Sequence, residues 1–241
     1  MFPEEATWFA KVLSSIPSSS ISPMLNVGSS TREFRAIRQP WIERDIFRPL
    51  EDQGSEIVHL DLKSAEGVDI VGDIAEPLVR ERLNTHRFKS VFCSNILEHV
   101  EDRATVCDAI LAVVPEGGYI FVSCPFSYPY HADPIDTMFR PDVESLSSIF
   151  PGTRVVAGEI IPCGTYARDI FESPRSFVRW TARLAFPFYK PRGWKAAVGN
   201  LRWLVRNFEA TCVVLERVPV HAAVGASGSA SPVRDGNLSI E

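Results

Sequence analysis

The sequence predicts an α/β chain: a doubly wound sheet of seven strands, mostly parallel, with a helical insert before the last strand. Three observations point there. Strand-like and helix-like segments alternate from residue 23 onwards, the pattern of parallel strands with helices on both faces. Small and acidic residues follow the strands at their carboxyl ends, where such sheets bind ligands. A stretch without acids, 173–208, breaks the alternation before the final strand.

The elements follow in order. Residues 1–22 read as a short amphipathic helix and a loop, "SSIPSSS". "SPMLNV" is a buried strand ending at Gly28, and "TREFRAIR" is the helix after it, stopped by Pro40. "QPWIERDIFRPLEDQG" is an excursion of mixed character. "EIVHLDL" alternates and is rich in β-branched residues, so it is a second strand. "VDIVGDI" is a short third strand, and "AEPLVRERLNT" is helical. "SVFCSNIL" is the fourth strand. "RATVCDAILAVV" places Val106, Ile110 and Val113 at helical spacing. "PEGG" turns into the fifth strand, "YIFVSCP". "PDVESLSSIF" reads as a helix and "TRVVAGEII" as a strand. An insert, 165–208, precedes "ATCVVLERV". The domain proper is 23–218, and the polar tail 219–241 is expected to be disordered.

Composition narrows the function. A net charge of −5 argues against a nucleic-acid binder, because phosphate neutralisation needs a basic surface. The cysteines are five and form no CxxC pair, which reads as buried thiols in a reducing, cytoplasmic setting. The N-terminus lacks the basic start of a signal peptide, and no run has the length of a membrane span.

The chemistry gathers at the strand ends. The rim candidates are Gly28, Asp61, Asp73, Ser94, Asn95 and Pro125. Gly28 permits a sharp turn and close approach of a ligand. Ser29, Ser30 and Thr31 then offer hydroxyls and N–H groups at a helix start, suited to an anion or to a plain N-cap. Asp61 closes the second strand, where an acid can accept two ribose hydroxyls; the alternative is a turn-capping Asp. Asp73 can accept from an exocyclic amine or cap the next helix.

These segments carry a resemblance. "MLNVGSSTREFR", "VHLDL", "VDIVGDI", "FKSVFCSNILEHVED" and "VVPEGGYIFVSCP" resemble the successive motifs of class I S-adenosylmethionine-dependent methyltransferases, and most of all the type 11 group. The resemblance covers 23–150 and implies a Rossmann-like fold with S-adenosylmethionine as cofactor. It departs where the family usually has a second glycine (here Ser30), an acid (Asn26) and a further glycine (Arg32). The gap from Gly28 to Asp61 also exceeds the usual spacing of about 20 residues. The excursion around Trp41 and Phe47 fills it, and a lid over the site is one place for it. By the resemblance, Gly28 and Ser29 hold the methionine part, with Ser30 in the same loop. Asp61 holds the ribose, Asp73 and Ile74 frame the adenine, and Ser94 and Asn95 line the sulfonium side.

An acceptor hydroxyl needs a base, and the candidates are His99 and His131. His99 has a loop-orienting alternative. His131 lies in a proline-rich loop near Asp133 and Asp136, where a loop-fixing hydrogen bond is the other reading. Arg140 can pair with Asp136 or grip an anionic substrate. No zinc or iron spacing is completed, so no metal is expected.

Within 173–208, Arg175, Arg179 and Arg183 form one helical stripe, and Phe177, Trp180 and Leu184 another. Pro187 and Pro191 divide the segment into two helices. It reads as a cap beside the sheet, or as a contact to a membrane or a lipid-linked substrate on an inner membrane face. The expected activity is methyl transfer to oxygen or nitrogen of a small-molecule or glycan-type acceptor. The alternative is an inactive methyltransferase-like module that binds a partner or a membrane. A nicotinamide dehydrogenase is disfavoured, since the loop is not GxGxxG. DNA methylation is disfavoured because no NPPY-like element follows the fourth strand.

Overall fold

The computed structural model describes residues 1–131, 135–171, 174–185, 188, 194, 198–199 and 201–219. Helix α1 is Pro3–Leu13, and one helical turn, α2, is Ser18–Ile21, inside the stretch expected to be a loop. Strand β1 is Met24–Val27. The chain then makes two π-helical stretches, Phe34–Arg38 and Ile42–Phe47, and a short helix α3, Arg48–Asp52. Next come β2 (Ile57–Asp61), β3 (Ile70–Val71), α4 (Pro77–Asn84) and β4 (Ser90–Ser94). A 3₁₀ turn, Leu97–His99, leads to α5 (Arg103–Val113) and β5 (Tyr119–Ser127). Helix α6 is Val143–Ser148 and β6 is Thr153–Thr165. The insert begins with α7 (Tyr166–Phe171) and α8 (Pro174–Ala185), has a turn at Leu201–Leu204, and leads to β7 (Asn207–Arg217).

The seven strands form one sheet in the order β3-β2-β1-β4-β5-β7-β6. Neighbours from β3 to β5 are parallel, and β7 runs antiparallel to both β5 and β6. The fold is therefore an α/β Rossmann-like sheet, mixed by a single reversed strand, with the helical insert before that strand.

Each face has its own core. On one, Leu25, Val58, Val91 and Ile120 pack with Val79 and Leu83 of α4 and Ala109 and Ile110 of α5. On the other, Met24, Phe92, Phe121 and Val214 meet Ala6, Phe9 and Leu13 of α1. Ile42, Ile46, Phe47 and Leu50 join that second core. This corrects the expectation of a lid: Phe47 is fully buried, its ring 5.6 Å from that of Phe92 and 5.3 Å from that of His59. The excursion is the crossover from β1 to β2, and its apolar residues cover the sheet. The first helical stretch ends at Arg38, ahead of Pro40 as expected, and Pro40 in turn begins the second stretch, consistent with proline's fitness for a first turn.

Pro125 also differs from expectation. It lies inside β5, opposite Ala210 of β7, because β5 continues past the rim to pair with the reversed strand. All five cysteines are buried and free, and burial pushes the Cys107 thiol up to about 12, so these thiols are unreactive core groups. Among the described residues no helix is long and apolar enough to cross a membrane. The expectations for Pro187, Pro191, Asp133 and the tail beyond 219 lie outside the described residues.

Candidate functional site

Strand register brings the scattered rim residues together. Val27 pairs with Leu60 on one side and Cys93 on the other. Asp61 pairs with Val71, and Ser94 with Ser123. Gly28, Asp61, Asp73, Ser94 and Asn95 therefore leave the sheet along one edge. The chain goes from β1 outward to β2 and β3 and returns to β4 on β1's other side. That makes β1/β4 the switch point, the place where such sheets hold ligands.

The loop after β1 is tightly made. Gly28 has φ +66°, and a Cβ there would lie 2.0 Å from Ile96 Cδ1, so both backbone and packing favour glycine. Ser30 also sits in the left-handed region, at φ +53°. Its backbone N–H donates to Asp61 Oδ2 at 2.7 Å, and the Lys63 N–H donates to Asp61 Oδ1 at 2.9 Å. The Ser29 N–H donates to the Leu60 carbonyl at 2.9 Å. Buried Arg35 closes the loop from behind. Its Nη1 donates to the Ser29 and Ser30 carbonyls at 3.0 and 2.9 Å, and its Nη2 to the Gly67 carbonyl at 2.9 Å. Ser29 thus shapes the loop through internal bonds.

Asn26, standing where an acid is usual, is buried and donates from Nδ2 to His59 Nδ1 at 3.0 Å. That bond needs a neutral imidazole. Burial, helped by the Arg35 charge, brings His59 down to about 4.

On the β4 side, Asn95 has φ +54° and donates from Nδ2 to Ser94 Oγ and to Glu5 Oε2, both at 3.0 Å. Ser123 Oγ donates to the same Glu5 oxygen at 2.8 Å and lies 2.8 Å from Ser94 Oγ. Glu5 is fully buried, and its Oε1 accepts the Phe2 N–H at 2.7 Å. Helix α1 thereby reaches the rim with a carboxylate. At β3, Asp73 Oδ1 accepts the Ala75 N–H at 2.9 Å, and Ile74 is buried in the core with Val79 and Leu83.

A second cluster lies beyond β4 and β5. The rings of His99 and His131 are 5.0 Å apart and nearly perpendicular. His99 Nδ1 is hydrogen-bonded to the Ile135 carbonyl, tying the 97–99 turn to the loop after β5. His131 Nδ1 lies 3.3 Å from Asp136 Oδ2. Arg140 grips Asp136 with both terminal nitrogens, at 3.2 and 2.7 Å, which is the pair the sequence offered as one reading. Burial would raise the Asp136 carboxyl, but the Arg140 fork and the His131 and Met138 N–H bonds outweigh it and hold it at about 2. Burial also lowers His131 below the usual imidazole range, against the pull of Asp136. Glu98 is fully buried, neither of its oxygens has a hydrogen-bond partner among the described residues, and burial pushes it up to about 8.

Three participants escape sequence reasoning: Glu5, Arg35 and His59. Glu5 bonds residues about ninety or more positions away, a separation that leaves no local pattern. Arg35 stands in "REFR" among other arginines, and only its burial distinguishes it. His59 was visible inside a strand, with no sign of its partner.

No family model and no curated protein matches this sequence. Solved structures do match in fold. A protein from Galdieria sulphuraria assigned as a sarcosine dimethylglycine methyltransferase superposes with a TM-score of 0.56 at 11% identity, over 88% of this chain and 84% of that one. The [4+2]-cyclase SpnF gives 0.55 at 12% identity, over 88% and 81%. Coclaurine N-methyltransferase, bound to N-methylheliamine and S-adenosylhomocysteine, gives 0.52 at 12% identity, over 88% and 70%. At such identities the likeness is one of fold. The chain has a class I S-adenosylmethionine-dependent methyltransferase-like Rossmann fold.

Proposed function

We propose that the chain binds S-adenosylmethionine along the β1–β4 rim and transfers its methyl group to an oxygen or nitrogen of a small-molecule or glycan-type acceptor. The observation that carries this reading is the coupling of the loop after β1 to Asp61 at the switch point. Each Asp61 oxygen accepts one backbone N–H, and a carboxylate oxygen has two lone pairs. One acceptor site per oxygen remains for a pair of ribose hydroxyls. The residues present therefore fit the cofactor. Gly28 and the loop would border its methionine part, Asp73 its adenine, and Ser94 and Asn95 its sulfonium side. The narrower kinship with the type 11 group rests on the motif resemblance.

When bound, the cofactor supplies an already activated methyl group. The chain's own work is alignment of the acceptor and removal of its proton. His131 and His99 are the imidazoles at this end. His131 is the better base, because Asp136 and Arg140 fix its surroundings while its ring keeps about a third of its surface open.

One observation favours the non-catalytic alternative. Phe171 and Phe177 stack at 5.5 Å on the insert, and Phe171 and Val178 are exposed on α7 and α8, the latter carrying Arg175 and Arg179. Such a face suits a partner, a membrane or a lipid-linked acceptor. The fold also serves other chemistry, as the cyclase illustrates. The test is release of S-adenosylhomocysteine from S-adenosylmethionine in the presence of panels of hydroxyl- and amine-bearing small molecules and glycans. An acceptor-dependent signal, lost in Asp61→Ala, is expected. Cofactor binding with no turnover on any acceptor would favour the binding module.

A further inference from the structure

The sequence completes no metal-binding spacing, yet the fold assembles a ligand set. One ligand atom from each of Glu98, His99 and His131 lies within 4.8 Å of the other two. Two of them come from the 3₁₀ turn after β4, and the third from the loop after β5, so linear spacing could not show them. We propose that Glu98, His99 and His131 bind one divalent first-row transition ion of the zinc or iron(II) type.

Three features support the site. Glu98 is completely buried, and among the described residues neither of its oxygens has a hydrogen-bond partner. Burial disfavours the ionised form of such a carboxyl, and a cation at bonding distance would offset that cost. His99 already has the orientation of a ligand: its Nδ1–H donates to the Ile135 carbonyl, leaving Nε2 with its lone pair 3.8 Å from Glu98 Oε1. His131 has an acid behind it without a formed hydrogen bond: its Nδ1 lies 3.3 Å from Asp136 Oδ2, and Arg140 locks that carboxylate. An outer carbonyl such as that of Ile135 fixes tautomer and ring orientation at metal sites, and a carboxylate beside the second imidazole favours a proton on the facing nitrogen.

The donor chemistry selects the ion. Two imidazoles and a carboxylate suit zinc, iron(II) or cobalt(II), whereas magnesium and calcium demand oxygen donors. Bond lengths of about 2.0–2.2 Å require the three side chains to draw together from their present separation, most readily by rotation of part-exposed His131. Three protein ligands leave at least one position for water or another donor. The inference stands apart from methyl transfer. Where both hold, His131 is a ligand instead of a base, and an acceptor oxygen at the open position would lose its proton more readily.

The experiment uses the full chain, stripped of metal with a chelator and dialysed. Calorimetric titration with Zn²⁺, absorption titration with Co²⁺ and a Mg²⁺ control are run on wild type, Glu98→Gln and His131→Ala. Circular dichroism checks that each is folded. One equivalent of Zn²⁺ and of Co²⁺ is expected, with visible Co²⁺ bands, no Mg²⁺ binding in the same range, and affinity at least about tenfold weaker in each variant. If Glu98→Gln does not fold, part-exposed His131→Ala carries the test alone. No binding by wild type overturns the proposal. So does binding that His131→Ala leaves unchanged, which would mean an adventitious ion only. Titration of the same samples with S-adenosylmethionine separates a failed metal site from a failed cofactor site.

Discussion

Ser30 occupies a left-handed backbone conformation, which costs a non-glycine residue roughly 1–2 kcal/mol. The loop tolerates this because Asp61 holds the Ser30 N–H and Arg35 holds its carbonyl. Ser30→Gly is therefore expected to leave stability unchanged or raise it by up to about 1 kcal/mol, net of glycine's entropy in the unfolded chain. Urea unfolding measures this, and a clear loss would show that the serine side chain has a role of its own. His59 makes a second residue-scale prediction. Its folded value of about 4 lies below the ordinary 6.5, so the unfolded chain takes up the proton first as pH falls. Its contribution is fully present above about 6.5 and is lost as pH drops toward 4, by about 3 kcal/mol in all. His59→Asn should show a flatter stability profile between pH 7.5 and 4.5; a profile as steep as wild type would place the proton uptake elsewhere.

At the scale of elements, α1 matters more than its place at the start of the chain suggested. The sequence showed an amphipathic helix and a loop, which could have stood apart from the sheet. Instead Phe9 is fully buried, its ring 5.0 Å from that of Phe92 and 6.5 Å from that of Phe121, and Glu5 from the same helix holds Asn95 and Ser123. Packing and rim geometry are thus coupled through one helix. Phe9→Ala should cost about 3–5 kcal/mol by chemical denaturation. A cost below about 1 kcal/mol would mean that α1 is not seated on the sheet in solution. The crossover after β1 shows a related point. Its mixed composition concealed the second π-helical stretch, Ile42–Phe47, because the burial of Ile42, Ile46 and Phe47 depends on the facing strand residues and not on local period.

For the molecule as a whole, the sheet was legible because strand-forming runs announce themselves locally and their alternation with helices restricts topology. Ligand residues of such sheets follow the strands at their carboxyl ends, so Gly28, Asp61, Asp73, Ser94 and Asn95 could be named before the strand order was known. What lay hidden were the long-range polar pairs: Asn26 with His59, Arg35 with the loop carbonyls, Glu5 with Asn95, and Glu98 against two imidazoles. Each joins residues whose separation carries no periodic signal. The central claim is that this rim holds S-adenosylmethionine through Asp61. Calorimetric titration of wild type and of Asp61→Ala with S-adenosylmethionine, and separately with S-adenosylhomocysteine, tests it most directly. The account predicts saturable one-to-one binding by wild type, weakened at least about tenfold in a still-folded Asp61→Ala, since two charge-assisted hydrogen bonds are lost. Absence of binding by folded wild type, or equal affinity in the variant, would contradict it.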